Sequence, residues 1–314
     1  MKILHVVPGL GDPTNGIAVA AKGIAAAAAK SGVEVEVVET RDFVQSSGRT
    51  IRPIEQFSEV WVHSMWLPVT LRACWKVLKA GVPLVRMPHG CLDPVKIRYH
   101  LWKKAIFIPV ERGLMRRAAR IVATEEEEAR WIESFVRRGA GPAPEIEMLE
   151  LGRAVQFASR PGLGNRKFLF VGRMHPLKGV DVLVAAIRAL RDSGRLPGGF
   201  ELTIIGRDEK GLRAELEAEV KARGLPIRFL GEVEEGVKRQ EMAGADCLVL
   251  PTLSENFGLV VKESLACGVP VITTDGASIW KGHAGVTYLE GYVAAGRETR
   301  VRLLEEAIAA LNRG

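Results

Sequence analysis

The chain predicts an α/β protein of two doubly wound domains, each a parallel sheet with helices on both faces. Three observations carry this. Short β-branched apolar runs alternate with helical stretches along nearly the whole sequence; parallel strands need crossover connections and bury both faces of their sheet, so the alternation reads as βαβ units. The alternation breaks once, between Gly152 and Arg166, where Gly152, Pro161, Gly162 and Gly164 interrupt the periodicity. The length of 314 residues suits about two domains. These are expected at 1–155 and 167–314, with 156–166 as linker.

In the first half, strands are expected at 3–7, 33–38, 60–63, 82–87, 120–123 and 146–149. The opening run from Met1 to Pro8 is too short for a signal peptide and reads as the first buried strand. A helix follows at 17–30, where Ala25 to Ala29 combine high helix propensity with little bulk and let it lie close to a sheet. In the second half, strands are expected at 167–171, 200–205, 226–230, 246–250 and 269–273, with a last one at 285–289. The intervening helices fall near 180–192, 208–223, 236–243 and 258–267, and a final helix at 299–312.

Composition narrows the function. At 47% apolar and 26% charged, the chain is neither disordered nor of low complexity. No apolar run approaches the ~20 residues a membrane-spanning helix needs, so a cytoplasmic protein is expected. Cysteines 74, 91, 247 and 267 form no Cys-x-x-Cys pair and are expected to be free, mostly buried thiols of a reducing compartment. The net charge of +7 is shared about evenly by the two halves; that argues against nucleic acid and for an anionic small molecule or a local patch on an anionic surface. Walker A, Gly-x-Gly-x-x-Gly, Gly-x-Ser-x-Gly and His-x-x-x-His patterns are all missing, so kinase, dehydrogenase, hydrolase and zinc-site readings lose their main support.

In doubly wound sheets ligands bind beyond the carboxyl ends of the strands, so the residues there carry the functional reading. After Val171 stand Gly172-Arg173-Met174-His175-Pro176-Leu177-Lys178-Gly179. Arg173 and Lys178 put a guanidinium fork and an ammonium five residues apart, which suits two phosphates; an ordinary solvated loop is the alternative. After Leu250, a loop from Pro251 runs into a helix ending at Gly268. The amides near Phe257, Gly258 and Leu259 would be unpaired donors at a helix N-terminus, and Gly258 would let a ligand approach the backbone. Glu263, further along that helix, could accept both hydroxyls of a ribose, and Glu255 with Asn256 just ahead of it could hold sugar hydroxyls; each Glu is alternatively a surface charge or a cap. His89 follows the strand Pro83 to Met87 in a Pro-His-Gly turn, a strand-end position that favours a ligand-facing role over a structural one. Gly16, at the mouth of the first helix, is either a backbone site for phosphate or acceptor, or a glycine that merely starts the helix.

Gly-Arg-x4-Lys-Gly at 172–179 and Glu-x7-Glu at 255–263, set in Pro-Thr-x3-Asn-Phe-Gly and followed by Ala-Cys-Gly-Val-Pro-Val, resemble the family 4 retaining glycosyltransferases of GT-B fold. The likeness is tight over 167–275 and looser in the first half, through Asn15-Gly16, Pro88-His89-Gly90 and Arg120 to Glu125. It implies two Rossmann-like domains facing an interdomain cleft, the final helix crossing back to the first domain. It implies transfer of a sugar from a nucleotide diphosphate sugar, as co-substrate and with no cofactor, to a hydroxyl of a glycan or lipid-linked acceptor in cell-envelope polysaccharide or lipopolysaccharide synthesis. Arg173 and Lys178 would neutralise the donor diphosphate, Glu263 hold the ribose, Glu255 with Asn256 to Leu259 grip the sugar, and His89 face it.

No two aspartates stand two apart, so the Asp-x-Asp metal clamp of the other major glycosyltransferase architecture is missing, and fixed protein charge is expected to replace a metal. From Lys96 to Arg120, eight basic residues face the single acid Glu111, interleaved with Tyr99, Leu101, Trp102, Ile106 and Phe107. This stretch reads either as a peripheral contact with an anionic membrane face or as a solvated helical face broken at Pro109. The chain departs from the resemblance in a first domain trimmed between its second and third strands, in Asn15-Gly16 where paired glycines are usual, and in 276–283, which lacks an expected acid. A non-catalytic nucleotide-sugar-binding partner of another transferase, or a sugar-nucleotide epimerase or phosphorylase on the same fold, are the alternatives.

Overall fold

A computed structural model of the chain describes residues 1–12, 15–45, 53–99, 101–137, 143–149, 155–159, 164 and 166–311. Part of the expected linker, at 160–163 and 165, the preceding stretch 150–154 with Gly152, and the segment between the second and third strands at 46–52 lie outside the described residues. Contacts divide the chain into two compact units, Met1–Leu151 and Gly152–Gly314.

The first unit runs β1 (Lys2–Val7), α1 (Gly16–Lys30), β2 (Glu34–Glu39), α2 (Thr40–Gln45), β3 (Glu59–His63), α3 (Pro68–Lys79), β4 (Leu84–Met87), α4 (Pro94–Arg98), α5 (Leu101–Ala105), α6 (Ile108–Arg116), β5 (Arg120–Ala123), α7 (Glu126–Arg137) and β6 (Glu145–Met148). Its strands form one parallel sheet in the order β2-β1-β3-β4-β5-β6. The β-branched runs are buried because helices cover both faces. Val60, Val62, Leu84 and Ile121 pack on Cys74 and Val77 of α3, Leu114 and Met115 of α6, and Ile132 and Val136 of α7. On the other face Val7 meets Ala18 and Ala21 of α1, whose small side chains bring that helix close to the sheet.

The second unit runs β7 (Lys167–Val171), α8 (Val180–Asp192), β8 (Glu201–Ile205), α9 (Leu212–Arg223), β9 (Ile227–Gly231), α10 (Glu235–Gly244), β10 (Cys247–Leu250), α11 (Leu259–Ala266), β11 (Val271–Thr274), β12 (Val286–Leu289) and α12 (Arg297–Ala310). Its parallel sheet has the order β12-β11-β10-β7-β8-β9. Strand order reverses between β7 and β10, the kind of switch point at which doubly wound sheets open a crevice. Asp246, just before β10, accepts amide hydrogens from Gly164, Arg166 and Lys167 and so fixes the start of β7. α12 packs along α8, where Leu304, Ala307 and Ile308 join the second unit's core. Its apolar face is buried within its own unit.

Two expectations change. Residues 94–116 are three short helices, and Pro109 sits in the first turn of α6, where a missing N–H breaks no helical hydrogen bond. Nor is the basic run one solvated face. Arg112 and Arg116 donate to the carbonyls of Phe135 and Val136, Arg117 lies over the Trp75 ring, and Arg120 pairs with Glu59 and Glu147 at 2.8 and 2.7 Å. Glu111 is fully buried against Arg86 at 2.9 Å. Of the thiols, Cys74 and Cys247 are buried, Cys91 is half-buried and Cys267 is exposed, the last because it caps α11 at the surface. Among the described residues no helix is long and apolar enough to cross a membrane.

Candidate functional site

The loops after β7, β8, β10 and β11 are packed backbone to backbone. The amides of Gly172 and Met174 donate to the carbonyls of Ile205 and Arg207 at 2.9 and 2.8 Å, while Leu253 N and Thr252 Oγ1 donate to the Leu177 carbonyl at 2.8 and 3.1 Å. Only glycine fits at three of these crossings: a Cβ on Gly179 would lie 2.2 Å from the Pro251 carbonyl oxygen, one on Gly206 1.9 Å from that of Gly172, and one on Gly276 2.3 Å from that of Thr252. This stitching holds the β7–α8 turn and the β10–α11 loop against each other at the switch point.

Lys178 and Glu255 are brought together here. The Lys178 ammonium donates to the Glu255 carboxylate, with side chains only 13% and 21% exposed. Arg173 reaches outward, 49% exposed, and shares Glu209 with Arg207 at 2.8 and 3.0 Å. Burial alone would raise the Glu209 carboxyl, but the hydrogen bonds from the two guanidiniums outweigh it and hold its pKa below the usual value. His175 caps the turn: its Nδ1 accepts from Leu177 N at 3.1 Å, and burial, then the nearby Arg173 charge, lowers its pKa.

Gly258 is left-handed (φ 54°), and a Cβ there would sit 2.5 Å from Trp280 Nε1. The indole donates to the Phe257 carbonyl at 3.2 Å and takes the space a side chain at 258 would need. The backbone angle and Trp280 both demand glycine here. The N-terminus of α11 that follows has no side-chain cap. Asn256 is buried beside Glu255, whose Oε1 accepts the Asn256 amide at 3.2 Å. Glu263 stands apart from this cluster, its carboxylate 2.9 Å from Lys238 on α10. Burial would lower the Lys238 ammonium, and its hydrogen bonds to Glu235 and Glu263 raise it instead.

In the first unit, His89 closes β4 with positive φ (56°), and Ser64 and Trp66 beyond β3 share that geometry at 70° and 68°. Such backbone costs ~1–3 kcal/mol per residue and persists only where the surroundings impose it. They do so here. Trp66 N donates to Glu111 Oε1 at 2.7 Å and Trp66 Nε1 to the Cys91 carbonyl at 3.0 Å, and Gly90 N donates to the buried Glu128. Glu128 also takes Thr124 N and Oγ1 at 2.9 and 2.6 Å, clamping the turns after β4 and β5 together. His89 is itself only 3% exposed. Its Nε2 is 2.6 Å from His63 Nδ1, and His63 Nε2 is 2.9 Å from His5 Nδ1. Burial, then Lys96, then His5, lowers the His89 pKa to about 3. Gly16 opens α1, capped by Asn15 Oδ1, and a Cβ there would meet nothing within 4 Å, so packing does not demand a glycine. The neighbouring amides of Gly9 and Leu10 are already taken by Glu39.

Sequence reading missed His5, His63, Glu128, Glu209 and Trp280. His63 ends β3 and was within reach of the strand-end rule; the others carry no local signal.

Two doubly wound units, each built on six parallel strands, define the class, the GT-B fold. Residues 165–311 match the family model for glycosyl transferases group 1, and 48–152 that for the glycosyl transferase 4-like domain. The chain belongs to this glycosyltransferase family. It is 34% identical to a D-inositol 3-phosphate glycosyltransferase of Geodermatophilus obscurus over 52% of this chain and 39% of that one. It is 30% identical to a phosphatidyl-myo-inositol mannosyltransferase of Mycobacterium leprae over 58% of this chain and 49% of that one. The chain thus spans about two fifths to one half of the length of these curated relatives. HepE of Anabaena, solved with UDP and glucose, superposes with a TM-score of 0.65 at 19% identity, over 99% of this chain and 95% of that one.

Proposed function

We propose that the chain is a retaining glycosyltransferase that moves a sugar from a nucleotide diphosphate sugar to a hydroxyl of a glycan or lipid-linked acceptor in the building of cell-envelope polysaccharide or lipopolysaccharide. The observation that carries it is the Lys178–Glu255 pair at the β7/β10 switch point, beside the uncapped start of α11. The donor diphosphate would take over Lys178 from Glu255, with Arg173 and the α11 amides completing its charge balance and no metal taking part. Glu255, released from Lys178, and Asn256 would then hold sugar hydroxyls, Glu263 the ribose, and His89 would meet the sugar. No side chain is proposed as covalent nucleophile. The acceptor oxygen bonds to the anomeric carbon on the face from which the diphosphate oxygen leaves, and the acceptor proton passes to that oxygen.

Relatives named for inositol phosphate and phosphatidylinositol support a phosphorylated or lipid-linked acceptor. Leu101, Trp102 and Ile106, exposed by 46%, 71% and 77% around Lys103, support a contact with an anionic lipid surface. The test is a thermal-shift screen of UDP-, GDP- and ADP-sugars, then product analysis with acceptor present. Nucleoside diphosphate release that needs acceptor, retained anomeric configuration, and turnover in EDTA are expected. Release without acceptor, an epimerised donor, or loss of turnover in EDTA would overturn the respective parts. Flotation on anionic but not neutral vesicles, weakened by salt, is expected for the membrane contact.

A further inference from the structure

His5, His63 and His89 stand on three adjacent strands, β1, β3 and β4 or its end, and their rings stack in a row with centroids 5.1 and 5.0 Å apart. Their exposures are 1%, 0% and 3%. Each N···N contact, 2.9 Å between His5 and His63 and 2.6 Å between His63 and His89, needs one hydrogen and has room for only one. A neutral imidazole carries a single N–H. Three neutral rings therefore have three hydrogens, of which two lie inside the row and the third on an outer nitrogen. Only two arrangements satisfy this. Either all three rings are protonated on Nδ1, so that His5 donates to His63 and His63 to His89, or all three are protonated on Nε2 and the donation runs the other way. A mixed set would leave one contact with two hydrogens or with none.

We propose that His5 and His63 are positioning residues that fix which nitrogen of His89 bears the proton, so that the outer Nδ1 of His89 is a donor or an acceptor only in step with the whole row. Burial, foremost among the causes, disfavours a charged ring, lowering His5 to about 4 and holding His63 well below its free value. The role of this device in sugar transfer rests on the reading of His89 given above, but the device itself is measurable without substrate.

With six histidines in the chain, ring nitrogen–proton correlation spectra of the full-length protein near pH 7.5, assigned by single replacement, read each tautomer directly. One tautomer shared by His5, His63 and His89 is expected, and a mixed set overturns the proposal. His63→Phe keeps the stacked ring and removes both nitrogens. In that variant the His89 signals are expected to leave their wild-type positions for those of an uncoupled neutral imidazole; unchanged signals would also overturn it. If the variant does not fold, the wild-type spectrum still decides. In turnover assays His63→Phe is expected to lower kcat with donor KM unchanged; coupled tautomers with normal kcat would refute the role of His89 while leaving the row intact.

Discussion

Lys178 and Glu255, 77 residues apart in sequence, close an ion pair between the β7–α8 turn and the β10–α11 loop. If Lys178 takes the donor phosphate as proposed, the Glu255 carboxylate is its internal competitor until a ligand arrives. Glu255→Gln is expected to tighten nucleoside diphosphate binding roughly tenfold, equal to ~1.4 kcal/mol, while lowering turnover through lost sugar contacts. Calorimetric titration with UDP and GDP reads the first effect, and an unchanged or weaker Kd contradicts it.

Arg173→Ala and Lys178→Ala should each lower turnover by about 10² or more if they act as preorganised charge stabilisers. Steady-state kinetics with the donor found by screening measures this. Near-normal turnover in both variants would refute their assignment.

Gly258→Ala is expected to destabilise the second unit by ~1–3 kcal/mol, because it places a Cβ 2.5 Å from Trp280 Nε1 on a left-handed residue. Urea unfolding measures the loss. A midpoint equal to wild type would mean that the indole moves aside freely.

Glu128→Ala removes a buried carboxylate that takes hydrogens from Gly90 N, Thr124 N and Thr124 Oγ1. Leaving those donors without an acceptor should cost about 2–4 kcal/mol, lower the Tm, and shift the His89 ring signals, since Gly90 follows that residue directly.

Stability should fall on acidification. The folded pKa values of His5 and His89 are lowered from 6.5 to about 4 and about 3, and that of His63 is lowered as well. Burial is the main cause; Arg86 opposes a charge on His63, Lys96 opposes one on His89, and Glu59 pulls His5 the other way. The unfolded chain therefore binds more protons below pH 6.5, and stability present at neutral pH is lost as the pH falls toward 4, by ~2 kcal/mol per ring at pH 5. Denaturant midpoints at pH 7.5, 6 and 5 check this, and a flat profile would mean that the rings stay solvated.

Strand and helix positions were legible because burial imposes periodicity: a strand covered on both faces must be an apolar run, as at Phe168 to Val171, and a helix beside it must repeat every three to four residues. Arg173, Lys178, Glu255 and Gly258 were legible for a related reason. They follow strands, and the carboxyl end of a parallel strand is where a ligand can reach. What could not be read was anything set by a partner distant in sequence. Glu128 closes a run of four acids that looks like a solvated helix start, and Glu111 is the lone acid in a basic stretch, yet both are fully buried. The contact of Gly258 with Trp280 is of the same kind, because nothing near the glycine in sequence announces that indole. The row from His5 through His63 to His89 exists only because β1, β3 and β4 are neighbours in the sheet; local sequence determines that each strand forms, while the order of strands, and hence which side chains share a hydrogen, is decided by packing over the whole unit.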